Sequence, residues 1–292
     1  MEFLVIGGTG TVGGEVVRGL LGRGDRVRVL TRSAAKARSL PEGAEGAVGD
    51  LADPPSLRRP LEGVDGVFLA TPLDPEETKR GLAAVEAVRA VGVGRLVYMS
   101  VHRVDDGAHI PHFGSKLPIE EAVRRLGVPF TILRPNNFFQ NDLLFREAIG
   151  AYGVYPQPMG SVGLSRVDVR DIAHAAVNAL TEPGHEGQTY PLVGPDVLTG
   201  EATAAVYSRH LGREIRYGGD DLDAWAEQAR GALPDWMVSD LRTMFEHFQH
   251  QGLVATDADL AAVRRALGRE PRRFEDFAAD LADQIRRDQS RR

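Results

Sequence analysis

A chain of 292 residues, 42% hydrophobic and 26% charged, has room for one large domain or a core domain with a smaller companion, and the make-up of an ordinary globular enzyme. Its net charge of −6 argues against a nucleic-acid-binding surface, and no apolar stretch approaches a membrane span. With no cysteine, the chain excludes disulfides, thiolate metal sites and a cysteine nucleophile, so a bound cofactor must carry any redox chemistry. The first strand begins at the initiator Met, which reads as leaving no room for a signal peptide; the expected location is cytoplasmic.

Residues 1–14, MEFLVIGGTGTVGG, organise the rest of the chain. Phe3 to Ile6 is the apolar run of a buried parallel strand, and Gly7, Gly10 and Gly13 come next at a spacing of three. Glu15 to Leu21 reads as the first helix, with Val16, Val17, Leu20 and Leu21 on its apolar stripe. Strand, glycine turn and helix make the context of a dinucleotide-binding loop: glycine lets the backbone turn tightly and lets a pyrophosphate approach, and the helix N-terminus offers N–H groups to the phosphates. Thr9, Thr11 and Val12 complete this loop as cofactor-binding candidates.

Arg26 to Leu30 is the second strand, ending at Thr31, Arg32 and Ser33. The acidic residue that takes a ribose 2′-hydroxyl in NAD-binding units is missing there. Arg32 and Ser33 offer a cation and a hydroxyl instead, which suit a 2′-phosphate and favour NADP(H); the competing reading is a solvated basic loop. The third strand lies within Gly43 to Asp50 and places Asp50 at a C-terminal strand end. Gly66 to Ala70 is the fourth strand, leading into Thr71 and Pro72. Glu76 to Val91 is a helix with apolar positions Leu82, Val85 and Val88, and Arg95 to Met99 is the fifth strand, ending at Ser100. Ser115 to Leu126 is a helix closed by Gly127, and Val128 to Arg134 is the sixth strand, followed by Asn136, Asn137, Phe138 and Phe139. The alternation of apolar strands and amphipathic helices predicts an α/β fold, a doubly wound parallel sheet.

Beyond Asn141 the pattern changes. Gly153 to Gly163 is loop-like, Val167 to Leu180 runs into a helix, and Gln188 to Val193 is a further strand. The rest is helical: Gly200–Leu211, Asp221–Arg230, Asp235–Gln251, Asp257–Leu267 and Arg273–Arg287. Trp225, Trp236, Met237 and Phe245 read as the core of a smaller domain.

GGTGTVGG, TRS after the second strand, GDL after the third, HFGSKLPIEEAVRRLGVPFTILRPNNFFQN, VDVRDIA and the closing REPRRFEDFAADLA together resemble the NmrA-like family of atypical short-chain dehydrogenase/reductase proteins, over essentially the whole chain. The resemblance implies a Rossmann domain, residues 1–136 plus about 166–195, and a smaller, mostly helical substrate or lid domain, about 137–165 plus 196–292, with a cleft between them. It implies NADP(H) on Gly7, Gly10, Gly13 and Arg32, adenine at Asp50 and Leu51, and the nicotinamide half near Ala70, Thr71 and Pro72. Asn136 joins this cofactor set. Some members of the family reduce quinones, ketones or conjugated double bonds; others sense NADP(H) without turnover.

The wider superfamily pairs a Ser at the end of strand five with Tyr-x-x-x-Lys. Ser100 and Lys116 stand at matching places, and His112 occupies the Tyr position. Lys116 can hydrogen-bond the nicotinamide ribose, or it is a solvent-facing helix lysine. His112 can donate a proton near neutral pH, or it caps the helix and lines the cleft. Asn137, Phe138 and Tyr155 are substrate candidates, with Tyr152 and Tyr155 on the lid as alternative donors. The histidine pairs lack a third ligand at metal spacing, so no metal is expected. The first reading is an NADPH-dependent reductase of a small quinone, ketone or conjugated carbonyl compound. The second is a non-catalytic NADP(H) sensor, and a weaker third is an isomerase or dehydratase that uses the cofactor structurally. The expected partner is a small molecule of aromatic or quinone-like character, with neither nucleic acid nor membrane, and the expected state is monomer or homodimer.

Overall fold

The computed structural model describes residues 1–38 and 40–290. Its strands are β1 Glu2–Ile6, β2 Arg26–Thr31, β3 Ala44–Val48, β4 Gly66–Leu69, β5 Leu96–Met99, β6 Phe130–Pro135, β7 Val154–Tyr155, β8 Gln188–Leu192 and β9 Arg216–Tyr217. Its helices are α1 Thr11–Gly22, α2 Ala34–Ala37, α3 Arg58–Leu61, α4 Glu77–Val91, α5 Pro111–Gly114, α6 Leu117–Arg124, α7 Val169–Thr181, α8 Gly200–Leu211, α9 Leu222–Ala229, α10 Asp235–His250, α11 Asp257–Leu267 and α12 Phe274–Ser290. Among the described residues no helix is long and apolar enough to cross a membrane.

Seven strands form one parallel sheet in the order β3-β2-β1-β4-β5-β6-β8. From β1 the chain builds outward through β2 and β3, then returns to place β4 on the other side of β1. Strand order therefore reverses between β1 and β4, and in open α/β sheets the crevice beyond the strand C-termini at that reversal receives the ligand. Period-two alternation sends β1 side chains to both faces. Leu4 and Ile6 join Leu57, Val85, Val88 and Ile119 in one cluster. Val5 meets Val17 of α1 and Val29 of β2 around Gly8 on the other.

The chain divides into two compact units. The first comprises Met1–Pro135, Val169–Leu192 and Ala262–Glu270, so it holds the whole seven-stranded sheet. Residues 262–270, expected with the smaller domain, group with the sheet because they pack on α7. Asn178 Nδ2 donates to the Ala266 carbonyl at 3.1 Å, and Arg269 pairs with the buried Asp171 at 2.5 Å. The second unit comprises Asn136–Asp168, Val193–Ala261 and Pro271–Arg292. Here β7 and β9 pair in parallel, and Phe139, Phe274 and Tyr207 stack into the core. Phe245 packs on Trp225 at 5.0 Å as expected of a core pair, whereas Trp236 is 37% exposed and contributes little.

Local expectations shift where turn chemistry decides. Helix α1 starts at Thr11, four residues before the expected Glu15, because the glycine loop itself delivers the helix N-cap at Gly10. The helix expected over Ser115 to Leu126 is α6, Leu117–Arg124, with Pro118 in its first turn, where a missing N–H costs nothing, and the short α5 precedes it in what the sequence read as loop. Val85 and Val88 are buried as expected, whereas Leu82 faces outward and α4 buries Glu77, Gly81 and Ala84 as well.

Candidate cofactor and reaction site

Gly7 follows β1 with φ +85°, a left-handed conformation that side chains disfavour, and a Cβ there would lie 2.9 Å from the Ala70 carbonyl oxygen. A Cβ on Gly13 would lie 2.2 Å from the Gly7 oxygen. The loop thus closes against itself and against the end of β4. Gly10 N–H donates to the Gly7 carbonyl at 2.9 Å, and Gly10 is the N-cap of α1 with no side-chain cap. The first-turn N–H groups of α1 are left for a ligand, at the positive end of the helix dipole, which is a site for phosphate. Thr9 and Thr11 are exposed, while the Val12 side chain is buried, so Val12 can offer only its backbone. A pyrophosphate fits this cradle because each close approach occurs where a side chain is missing.

Arg32 stands exposed at the end of β2, and among the described residues it makes no ion pair. Ser33 caps α2, its Oγ accepting from Ala35 N at 3.2 Å. Asp50 Oδ1 accepts from Ala52 N at 2.9 Å, closing the turn that carries Leu51.

At the ends of β4 and β5 the structure gathers a group that the sequence did not announce. Glu77, in the first turn of α4, is buried. Its Oε1 accepts from Thr71 Oγ1 at 2.5 Å and from Lys116 Nζ, and its Oε2 accepts from Ser115 Oγ at 2.8 Å. Thr78 Oγ1 donates to the Ser115 carbonyl at 2.8 Å, tying α4 to the turn between α5 and α6. The Lys116 side chain is 12% exposed, so it is not a solvent-facing lysine. From sequence, Glu77 looks like one more acid favoured by a helix dipole; only the convergence of three segments shows its role. Burial raises the Tyr98 phenol well above its ordinary value, the Glu77 charge adds to this, and the Thr71 hydroxyl opposes it.

Ser100 is buried just past the end of β5, and among the described residues neither its Oγ nor Tyr98 Oη has a hydrogen bond of normal geometry. Glu120, fully buried, accepts from Arg134 Nε at 2.9 Å and Nη2 at 2.7 Å, and from Arg124 at 2.7 Å. Burial pushes the Glu120 carboxyl up; hydrogen bonding from Arg134 above all, with smaller help from the nearby Ser100 hydroxyl, the Arg134 charge and Arg124, leaves it below its usual value. His112 lies in α5, one turn before Lys116, with its ring edge-on to Phe113 at 4.8 Å. The structure therefore brings Thr71, Ser115 and Lys116 together on Glu77 at the C-terminal edge of the sheet.

In the second unit, Asn136 is buried, its Nδ2 donating to the Leu253 carbonyl at 2.7 Å and its Oδ1 accepting from Asn137 N at 2.7 Å. Asn137 Oδ1 accepts from Arg166 Nε at 3.1 Å, and the Phe138 carbonyl accepts from Arg166 Nη2 at 2.7 Å. Arg166 is fully buried and pairs with the fully buried Asp142 at 2.7 Å. Burial alone would lower the Arg166 guanidinium; the Asp142 charge outweighs it. Tyr207, Tyr155 and Gln157 also donate to Asp142, at 2.8, 3.2 and 2.7 Å. Tyr155, expected on a lid, is thus fully buried with its hydroxyl committed, and burial raises its phenol well above the ordinary value. Tyr152 is 72% exposed, and Phe138 is half-buried. Arg166 escaped sequence reading because its partners Asn137 and Asp142 lie 29 and 24 residues away on another segment. Among the described residues no cluster of three His, Asp or Glu side chains could hold a metal ion.

The model of the NmrA-like family matches residues 2–278. The chain is 36% identical over 278 residues to an NAD(P)H azoreductase of Xenophilus azovorans, covering 94% of this chain and 96% of the relative. It is 35% identical over 284 residues to a (4-alkanoyl-5-oxo-2,5-dihydrofuran-3-yl)methyl phosphate reductase of Streptomyces griseus, covering 96% and 98%. Among solved structures, the NADPH complex of an NADPH-dependent quinone oxidoreductase from Escherichia coli superposes with a TM-score of 0.85 at 22% identity, covering 96% of this chain and 99% of that one.

Proposed function

Because the chain belongs to the NmrA-like family, we propose that it is an NADPH-dependent reductase of a small quinone, ketone or conjugated carbonyl compound. The observation that carries the reading is the pairing of an uncapped glycine cradle at the sheet's reversal point with a mostly buried Lys116 held on Glu77 at the same sheet edge. Two relatives of more than one-third identity over nearly their full lengths are named as reductases, which supports it. The first-turn N–H groups of α1 hold the pyrophosphate, Arg32 takes the 2′-phosphate, and Lys116 meets the nicotinamide ribose. The bound cofactor supplies the hydride. Lys116 orients the ribose, and His112 delivers the proton that quenches the anion left on the substrate oxygen. His112 is preferred over Tyr155 as donor because the Tyr155 hydroxyl is buried on Asp142.

The test is substrate-dependent NADPH oxidation by purified protein across a panel of quinones, ketones, enones and azo dyes. Turnover with at least one class, reduced in Lys116→Ala, supports the reading; undiminished turnover in Lys116→Ala removes Lys116 from it. The histidine at position 112, in place of a tyrosine, favours one competing reading, a sensor that binds the cofactor without consuming it. That reading requires different affinities for NADP⁺ and NADPH and no oxidation with any acceptor.

A further inference from the structure

Glu77 takes no part in the proposed hydride and proton transfers, yet its buried carboxylate accepts three side-chain hydrogen bonds at the sheet's ligand edge. Its two oxygens take Thr71, Lys116 and Ser115, which come from the end of β4 and the turn between α5 and α6. Thr71 directly follows Ala70, the residue against which Gly7 closes. The carboxylate therefore lies one residue from the point where the glycine loop touches β4, where the strand order reverses and a dinucleotide crosses the sheet. A buried carboxylate is tolerated only when paired, and here the pair is complete: one negative charge against one ammonium, with two hydroxyls filling the remaining positions.

Resting on the assignment of an NADP(H) site to this edge, we propose that Glu77 is a positioning residue that fixes the Lys116 ammonium at the nicotinamide end of the site and neutralises it, so that the site accepts NADP⁺ and NADPH alike. The two cofactor forms differ by one positive charge on the nicotinamide ring. A lone ammonium would repel the oxidised form, and a lone carboxylate would attract it. The Glu77–Lys116 pair cancels both biases and keeps product NADP⁺ and substrate NADPH exchangeable. Thr71, sharing Oε1 with Lys116, holds the carboxylate to the end of β4, so the charge stays beside the cofactor path.

The experiment is a titration of NADP⁺ and NADPH into wild-type, Glu77→Gln, Lys116→Met and the double variant, each checked for a cooperative thermal melt. Glu77→Gln keeps the volume and removes the charge, and should raise Kd(NADP⁺)/Kd(NADPH) on the order of tenfold, as expected for a unit charge roughly 10 Å away in a medium of effective dielectric near 20. Lys116→Met should lower the same ratio by a similar factor, and the double variant should return it to within about threefold of wild type. Opposite shifts that cancel are the signature of charge; a merely structural role moves both affinities together. If Glu77→Gln does not fold, Lys116→Met against the double variant reads the same charge. Ratios unchanged in every variant overturn this proposal and leave the cofactor reading standing. Wild-type protein that binds neither nucleotide overturns the cofactor reading and this proposal with it.

Discussion

A methyl group added at Gly13 should abolish useful cofactor binding without unfolding the protein. The new Cβ would stand 2.2 Å from the Gly7 oxygen, 2.6 Å from the Gly7 carbonyl carbon and 2.8 Å from Gly8 Cα. All three are backbone atoms, so no side-chain rotation relieves the clash, and the loop must move by about 1 Å or more to reach ordinary contact distance. That displacement carries the loop away from the start of α1 and breaks the alignment of N–H groups on the phosphates. Losing two charge-assisted hydrogen bonds at about 1.5–3 kcal/mol each weakens binding by about 3–6 kcal/mol, roughly a hundredfold to ten-thousandfold in Kd. Gly22→Ala is the matched control: it sits at the other end of α1 with no atom within 4 Å of the added Cβ, and should leave Kd unchanged while stabilising the helix by up to about 1 kcal/mol. NADPH fluorescence titration reads the affinity, and thermal melts of both variants confirm folding. Gly13→Ala binding NADPH within about threefold of wild type would refute the cradle argument.

The same geometry sets further outcomes. Arg32→Asp should weaken NADPH far more than NADH, because it removes the cation facing the 2′-phosphate and adds repulsion; equal losses for the two nucleotides would detach Arg32 from that phosphate. Arg166→Met leaves the fully buried Asp142 charge without its cation and should cost about 3–5 kcal/mol, a fall of roughly 6–20 °C in Tm. Replacing Asp142 by Asn in the same background should recover part of that loss in denaturant unfolding, and a double variant no better than Arg166→Met alone would show that the uncompensated Asp142 charge is not the cause. Glu120 has its carboxyl lowered in the folded state, so its contribution to stability is complete above the unfolded value of about 4.3 and is lost as pH falls through the lower folded value. Arg134→Met removes the main lowering partner, so the stability gap between wild type and variant should be widest near neutral pH and narrow below about pH 4; a gap independent of pH would show that Arg134 acts through packing alone.

Much of the sheet is legible in the chain because buried parallel strands are continuous apolar runs and glycine punctuates them. The turn of the glycine loop was readable for the same reason: contiguous residues act together there. Glu77 was not readable, since its partners Thr71, Ser115 and Lys116 lie on other segments and nothing in the ETKRGLAAVEAVRAV helix distinguishes an acid turned inward. Tyr155 misled for the converse reason. Its neighbours Gly153, Pro156 and Pro158 spell a surface loop, yet Arg166 and Asp142 draw the phenol into the second unit's core. The small β7–β9 pair escaped as well, two residues on each side being too short to carry a period.

The central claim is hydride delivery from NADPH to a carbon of the substrate, and deuterium tests it most directly. Protein, NADPH carrying deuterium on the transferable position of the nicotinamide ring, and an enone or ketone that supports turnover are combined under anaerobic conditions, and the product is weighed by mass spectrometry. One deuterium on carbon in each product molecule is expected for each NADPH consumed. Tight NADPH binding with no acceptor reduced, or a reduced product free of deuterium, would contradict hydride delivery.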